Sequence, residues 1–220
     1  KNIRGLSVTM PLKEAVIPHL DGLTETAIKL NAVNCIFWDG DDLIGDNTDG
    51  AGFVNALKLQ LNEPLNKKAI AIIGAGGAAR SIINSLGDNP VKEIVVVNRS
   101  NPKAEKAAYL GGPNARVGSY ADLADCDIVV NSTPLGMAGT SEAAMLPVPV
   151  EFLSAKQTVI DLVYNPIETE LLREAKGLGA KTFSGLGMLI HQALLQFLLW
   201  TGLNTSIEGI ENVVSDTIGR

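Results

Sequence analysis

The stretch Ala69-Ile70-Ala71-Ile72-Ile73-Gly74-Ala75-Gly76-Gly77-Ala78-Ala79-Arg80 decides how the chain is read. Five apolar residues in a row suit a parallel strand covered on both faces. They run into G-x-G-x-x-A, and residues 78–86 then read as a helix closed by Gly87. A strand feeding a glycine-rich turn that opens a helix is the setting in which this motif binds dinucleotides. Gly74 permits the tight turn, Gly76 lets the backbone approach a pyrophosphate, and Ala79 lets the helix pack closely on the strand. The helix N-terminus presents free N–H groups and a positive dipole end to the anion. Gly74, Ala75, Gly76, Gly77 and Ala78 are therefore candidate cofactor-binding residues.

On the C-terminal side, strands are expected at 93–97, near 115–117, at 127–130 and at 158–163. Helical patterns fall between or after them, at 102–110, 120–124 and 168–176. Strands alternating with helices mean βαβ units and a doubly wound parallel sheet. On the N-terminal side the elements are shorter. A strand at 6–9 stops at Pro11, helices start at 11 and 24, and 34–38 with 43–45 form a hairpin around Asp39-Gly40. A longer helix at 49–61 ends before Pro64.

The end of the second strand of the parallel sheet selects the cofactor. An NAD site places an acid about 20 residues past the glycines to bond the ribose 2′-hydroxyl. This chain has Asn98-Arg99-Ser100, with Lys103 close by. An Arg fork and a Lys attract a 2′-phosphate through charge-assisted bonds, where an acid would repel it. The expected cofactor is NADP, against the plain alternative of a solvated arginine at a strand end.

Composition limits the alternatives. The chain has 220 residues, 46% hydrophobic and 19% charged, enough apolar side chain to exclude disorder. That length borders between one large domain and two small ones. A net charge of −6 argues against non-specific binding to nucleic acid or an anionic membrane. Cys35 and Cys126 belong to no Cys-x-x-Cys pair, so they read as small buried hydrophobes and no metal is expected. Residues 182–207 carry no charge, but Gly185, Gly187, Gly202, His191, Gln192 and Gln196 interrupt them. A buried helix is expected there rather than a membrane span. No signal peptide is evident, and a cytoplasmic location fits the cysteine usage.

The motifs taken together resemble the shikimate dehydrogenase family, with its quinate/shikimate relatives. Ser7-Val8-Thr9-Met10-Pro11-Leu12-Lys13, Asn31-Ala32-Val33-Asn34 and Asp46-Asn47-Thr48-Asp49-Gly50 resemble three of its segments. Residues 74–80 and 98–100 resemble its two NADP-binding stretches. Residues 131–137, Tyr164-Asn165-Pro166 and residues 185–192 complete the set, in family order and across essentially the whole chain. One departure matters: the family's Ser-x-Ser pair, which holds the substrate carboxylate, does not precede Lys1. An opening segment is expected to be missing.

The resemblance implies NADP-dependent interconversion of 3-dehydroshikimate and shikimate by hydride transfer. It nominates Lys13 and Asp49 as the catalytic, proton-handling pair. An ordinary lysine is a poor base at neutral pH, but desolvation adjusts that, and a charged Lys13 steadies a developing alkoxide. Which of the two moves the proton stays open. Taken singly, Lys13 reads as an exposed lysine in a first helical turn and Asp49 as a helix N-cap. Thr9, Lys13, Asn34, Asp49, Tyr164 and Gln192 are the expected substrate-binding residues. Gln192 and Gln196 share a helix face that would line a cleft. Thr133, Leu162 and Gly185 are assigned to the nicotinamide half of the cofactor and Glu25 to a position near it. His19 and His191 are read as structural.

The expected architecture is a Rossmann-type doubly wound NADP domain, residues 51–187, plus a smaller α/β substrate domain, residues 1–50 and 188–220. The expected partners are the small-molecule substrate, with a homodimer left open, and neither nucleic acid nor membrane. Two rivals remain: a dehydrogenase of quinate or another shikimate-like acid, and a non-catalytic NADP- or metabolite-binding module.

Overall fold

The computed structural model describes residues 3–210 and 213–214. Its larger sheet has six parallel strands: β5 (Ala69–Ile73), β6 (Glu93–Val97), β7 (Ala115–Val117), β8 (Ile128–Asn131), β9 (Thr158–Asp161) and β10 (Lys181–Ser184). Their order is β10-β9-β8-β5-β6-β7. Renumbered from β5, that is 6-5-4-1-2-3, the doubly wound arrangement whose order reverses between β5 and β8. Ligands bind outside the carboxyl ends of the strands at that reversal.

The continuous apolar strands follow from cover on both faces. Ile70 and Ile72 point into one core with Phe53, Leu57, Ile82, Ile83 and Ile94. Ala69, Ala71 and Ile73 point into the other with Val95, Val97, Leu123, Val159 and Leu171. Helices α3 (Asp49–Leu61), α4 (Gly77–Gly87) and α5 (Asn101–Leu110) contribute to the first core, and α6 (Glu170–Gly177) to the second. A fully buried Ile, Leu or Phe is worth roughly 1.5–3 kcal/mol.

The smaller sheet is mixed, in the order β1-β3-β4-β2: β1 (Gly5–Ser7), β2 (Gly22–Leu23), β3 (Cys35–Asp39) and β4 (Asp42–Asp46). β3 and β4 form the expected hairpin, with Gly40 at φ +63° in its two-residue turn. Helices α1 (Leu12–Ala15) and α2 (Glu25–Leu30) flank it, and Thr24 caps α2 by accepting from the Ala27 N–H. Its core is small, built on Ala27, Val33 and Ile36 with Val8, Leu20 and Leu23 against them.

Helices α3 and α7 (Leu186–Thr201) pack against each other at close range. A Cβ on Gly52 would lie 2.6 Å from the Gln192 nitrogen, so only glycine allows this approach. The expected domain boundaries, 50/51 and 187/188, fall inside these two helices.

The structure corrects the reading of 182–207. Its first residues form β10, a short edge strand paired to β9, and the helix occupies only 186–201. Most of that helix is half-buried rather than buried, with Phe197 exposed. The two-residue strand β2 was also not expected. No helix among the described residues is long and apolar enough to cross a membrane.

Candidate active site

Lys13 lies on α1, and Thr9 lies in the short segment between β1 and α1. Asp49 opens α3, where the helix dipole favours a carboxylate. The fold brings them together across 36 residues: Lys13 Nζ donates to Asp49 Oδ2 at 2.6 Å. Asp49 does not cap α3. Thr48 holds the N-cap position without a side-chain capping bond, which leaves the Asp49 carboxylate to the site.

The second carboxylate oxygen is held as well. Asn34 Nδ2 donates to Asp49 Oδ1 at 2.7 Å, while Asn34 Oδ1 accepts from the Thr48 N–H at 2.8 Å. Asn34 Nδ2 also reaches Gln192 Oε1 at 3.3 Å, and Gln196 Nε2 donates to the same oxygen at 2.7 Å. Asn34 is 2% exposed and Gln196 also 2%, so the network sits where unmade bonds would be expensive. Gln196 therefore does not line a cleft. It anchors Gln192 and the Asn34 carbonyl from behind, at 3.2 Å from the latter.

A cleft of about 310 Å³ opens over this network. Thr9, Lys13, Asn34, Asp49, Tyr164 and Gln192, all six expected substrate-binding residues, line it. Leu162 and Gly185 line it too, as does Ala78 from the first turn of α4. Ser7, Met188 and Leu189 were not expected there. Met188 and Leu189 had a signal, since they fall one turn before Gln192 on the same helix.

A second cleft of about 440 Å³ sits at the reversal between β5 and β8. Gly74, Ala75 and Gly76 line one side, Asn98, Arg99 and Lys103 another, and Ser132 and Thr133 a third. Gly74 has φ +111°, and a Cβ there would lie 2.7 Å from Ser132 Oγ. A Cβ on Gly76 would meet nothing within 4 Å, so open space lies where a phosphate would approach the backbone. The donor set, a bare helix N-terminus with an exposed Arg and Lys, fits a phosphorylated dinucleotide. The two clefts adjoin along the turn that runs from Gly76 to Ala78.

Three expected cofactor residues stand elsewhere. Gly77 is the first residue of α4. Ser100 is the N-cap of α5, and its carbonyl accepts from Asn98 Nδ2 at 3.0 Å. Glu25 is exposed in the first turn of α2 and lines neither cleft. Arg80, beyond the glycines, pairs with Glu14 at 3.1 Å and so links α4 to α1. A further groove of about 430 Å³, along Ala51, Asn55 and Lys58, carries none of the residues expected to act. Among the described residues, no group of three His, Cys, Asp or Glu side chains is placed to hold a metal.

Family models match along the chain. A shikimate dehydrogenase substrate binding domain matches residues 1–36, shikimate / quinate 5-dehydrogenase residues 56–162, and a shikimate 5'-dehydrogenase C-terminal domain residues 185–214. The shikimate dehydrogenase (NADP(+)) of Bacillus licheniformis is 42% identical, over 99% of this chain and 79% of that one. The chain belongs to the shikimate dehydrogenase family. Among solved structures, a shikimate dehydrogenase in complex with NADP+ superposes with a TM-score of 0.90 at 37% identity, covering 99% of this chain and 78% of that one. The Thermus thermophilus shikimate 5-dehydrogenase in complex with NADP(H) and shikimate gives 0.87 at 36%, over 98% and 80%. As in those family members, a parallel Rossmann-like sheet stands beside a smaller substrate-side sheet.

Proposed function

We propose that this protein interconverts shikimate and 3-dehydroshikimate, with NADP as the hydride carrier. One observation carries the reading: an ammonium–carboxylate couple, Lys13 with Asp49, stands in a cleft also lined by Ala78, just past the glycine-rich turn. Of the relatives named above, one is a shikimate dehydrogenase (NADP(+)), one was solved with NADP+ and one with NADP(H) and shikimate. Residues 51–187 make the NADP side in this reading, and 1–50 with 188–220 the substrate side, with α3 and α7 carrying the chain between them.

The substrate is a small ring acid with several hydroxyls. Such a ligand needs short polar groups at fixed positions, which Thr9, Asn34, Tyr164 and Gln192 supply. The Gly74–Gly76 turn with Arg99 and Lys103 would hold NADP, which would supply the hydride acceptor for the alcohol and the hydride donor for the ketone. Lys13 Nζ holds the proton that moves with the reacting oxygen: it hands that proton to the carbonyl oxygen on reduction and receives it on oxidation. Asp49, at 2.6 Å, aims the nitrogen and offsets its charge. Asn34 fixes the far oxygen of Asp49, so the couple is oriented before the substrate arrives. Arg99 and Lys103 recognise the 2′-phosphate.

Cys35 and Cys126 are free and buried, their thiols pushed by desolvation up to about 12 and about 11. Such inert thiols suit a reducing cytoplasm, where we place the reaction. The test is turnover of shikimate with NADP+, followed at the reduced nicotinamide, beside quinate at the same concentrations. A larger kcat/KM for quinate replaces the substrate. NADP binding without turnover of either acid leaves a non-catalytic binding module.

A further inference from the structure

Asp161 ends β9 and is fully buried. Its carboxylate touches three neutral donors. Asn131 Nδ2 reaches Oδ1 at 2.8 Å, the Val163 N–H reaches Oδ1 at 3.0 Å, and Thr169 Oγ1 donates to Oδ2 at 2.6 Å. No cation pairs with it among the described residues. A buried acid without a counter-ion is costly, and retaining one needs a reason beyond packing.

The partners show what it holds. Asn131 ends the neighbouring strand β8 and is also fully buried. Its Oδ1 accepts from the Thr133 N–H at 2.9 Å and from Thr133 Oγ1 at 2.7 Å. Thr133 lines the cofactor cleft. On the other side, Asp161 directly precedes Leu162 and, through the Val163 N–H, fixes the segment that carries Tyr164, and both Leu162 and Tyr164 line the substrate cleft. Thr169 caps α6 and closes the far end of that segment. One hydrogen-bonded chain, Thr133–Asn131–Asp161–Val163, therefore joins a wall of one cleft to a wall of the other.

We infer that Asp161 is a positioning residue that, through Asn131, locks the Thr133 loop to the Val163–Tyr164 segment and so holds cofactor and substrate in mutual register. This rests on the dehydrogenase reading for its consequence in catalysis, but the lock itself is independent of it. Each ligand has contacts of its own, so each binds alone without the lock. Hydride transfer needs both at once, and a misplacement near 1 Å costs on the order of 100-fold in rate.

Two measurements on the full chain test this. In Asp161→Ala, amide hydrogen exchange at Thr133 and Val163 is expected to accelerate at least about tenfold, with the amides of β5 unchanged. The Thr133 amide bonds Asn131, not Asp161, so its acceleration reports transmission through the chain. Faster exchange at Val163 alone overturns the proposal. In turnover, kcat per NADP-binding site falls at least about tenfold while the Kd of each ligand alone stays within about threefold. Asp161→Asn, which keeps an oxygen for Asn131 and Val163, restores most of kcat. A merely structural role lowers the number of binding sites and leaves kcat per site unchanged, which also overturns the proposal. Should the alanine variant fail to fold, Asp161→Ser, whose hydroxyl stops short of Asn131, gives the same two readouts. A wild type that binds NADP but does not oxidise shikimate sinks the dehydrogenase reading, and the exchange result still decides the lock.

Discussion

The two clefts are built by opposite means. The substrate cleft is built before anything binds: Lys13, Asp49, Asn34, Gln192 and Gln196 are joined by bonds of 2.6–3.3 Å, and most of that network is buried. The cofactor cleft is bare backbone at Gly74–Gly76 with exposed cations at its rim. A small polyol offers little surface, so fixed polar geometry has to supply its specificity. A phosphorylated dinucleotide brings its own charge, and a helix N-terminus with two exposed cations suits it. The first site should fail abruptly when one member is removed, the second by degrees.

The largest effect belongs to the couple. Lys13→Ala should cut kcat by about 10²–10⁴-fold, the range for losing a positioned proton donor, with the KM for NADP nearly unchanged. Steady-state kinetics with each ligand varied separately checks this, and near-normal turnover removes Lys13 from the chemistry. Next comes Arg99→Ala. Losing a charge-assisted bond of about 1.5–3 kcal/mol predicts a KM for NADP raised roughly 10- to 100-fold, with little change for NAD. The gap between wild type and variant should narrow as salt rises, since Arg99 is exposed. Equal small effects on both cofactors assign the 2′-phosphate elsewhere.

Gln196→Leu comes third and probes the buried back of the substrate cleft. It removes one of two donors from each acceptor that Gln196 serves: Gln192 Oε1 keeps Asn34 Nδ2 at 3.3 Å, and the Asn34 carbonyl keeps the Val8 N–H at 2.8 Å. Losing a buried hydrogen bond costs about 0.5–1.5 kcal/mol, so both the KM for shikimate and the thermal midpoint should suffer modestly, while the KM for NADP stays put. A shift confined to stability would make Gln196 a core residue only.

How much of this was legible depends on distance along the chain. The continuous apolar run at 69–73, the glycines after it and the strand–helix alternation are local signals, and the structure places those elements within a residue or two. β2 has only two residues, and β10, Lys181-Thr182-Phe183-Ser184, mixes polar and apolar side chains at a sheet edge, so neither shows the continuous apolar run that marks the central strands. The cleft-lining residues were nominated by motif, whereas their bonds join positions 36, 15 and 158 apart, which no local pattern encodes. Gln196 looked like a second lining amide because helical spacing gives its face but not its depth. Asp161 had a faint signal: it is an acid inside the otherwise largely apolar run 158–163 of a doubly wound parallel sheet, whose inner strands are covered on both faces.

That buried acid supplies the smallest and most discriminating prediction. Desolvation raises the Asp161 carboxyl above its ordinary value, outweighing the hydrogen bonds from Thr169, Val163 and Asn131 that lower it. A raised folded value means that the fold favours the protonated form. The stabilising contribution is therefore complete below the ordinary carboxylate range and is lost as pH rises through the raised value. Asp161→Asn is neutral throughout, so its unfolding free energy should gain on wild type as pH climbs through that window and then run parallel. A tenfold difference in proton affinity between folded and unfolded chains is worth about 1.4 kcal/mol. Asp122 behaves in the opposite sense, held at about 2 by the Ser119 backbone N–H first and by Arg116 next, and its contribution fades as pH falls. It is present in both proteins and cancels from the difference. Urea unfolding of the pair across the acid range reads the slope directly. A difference that stays flat, or that favours wild type as pH rises, means that the three donors outweigh burial and that the substrate-side wall is held by a stable carboxylate after all.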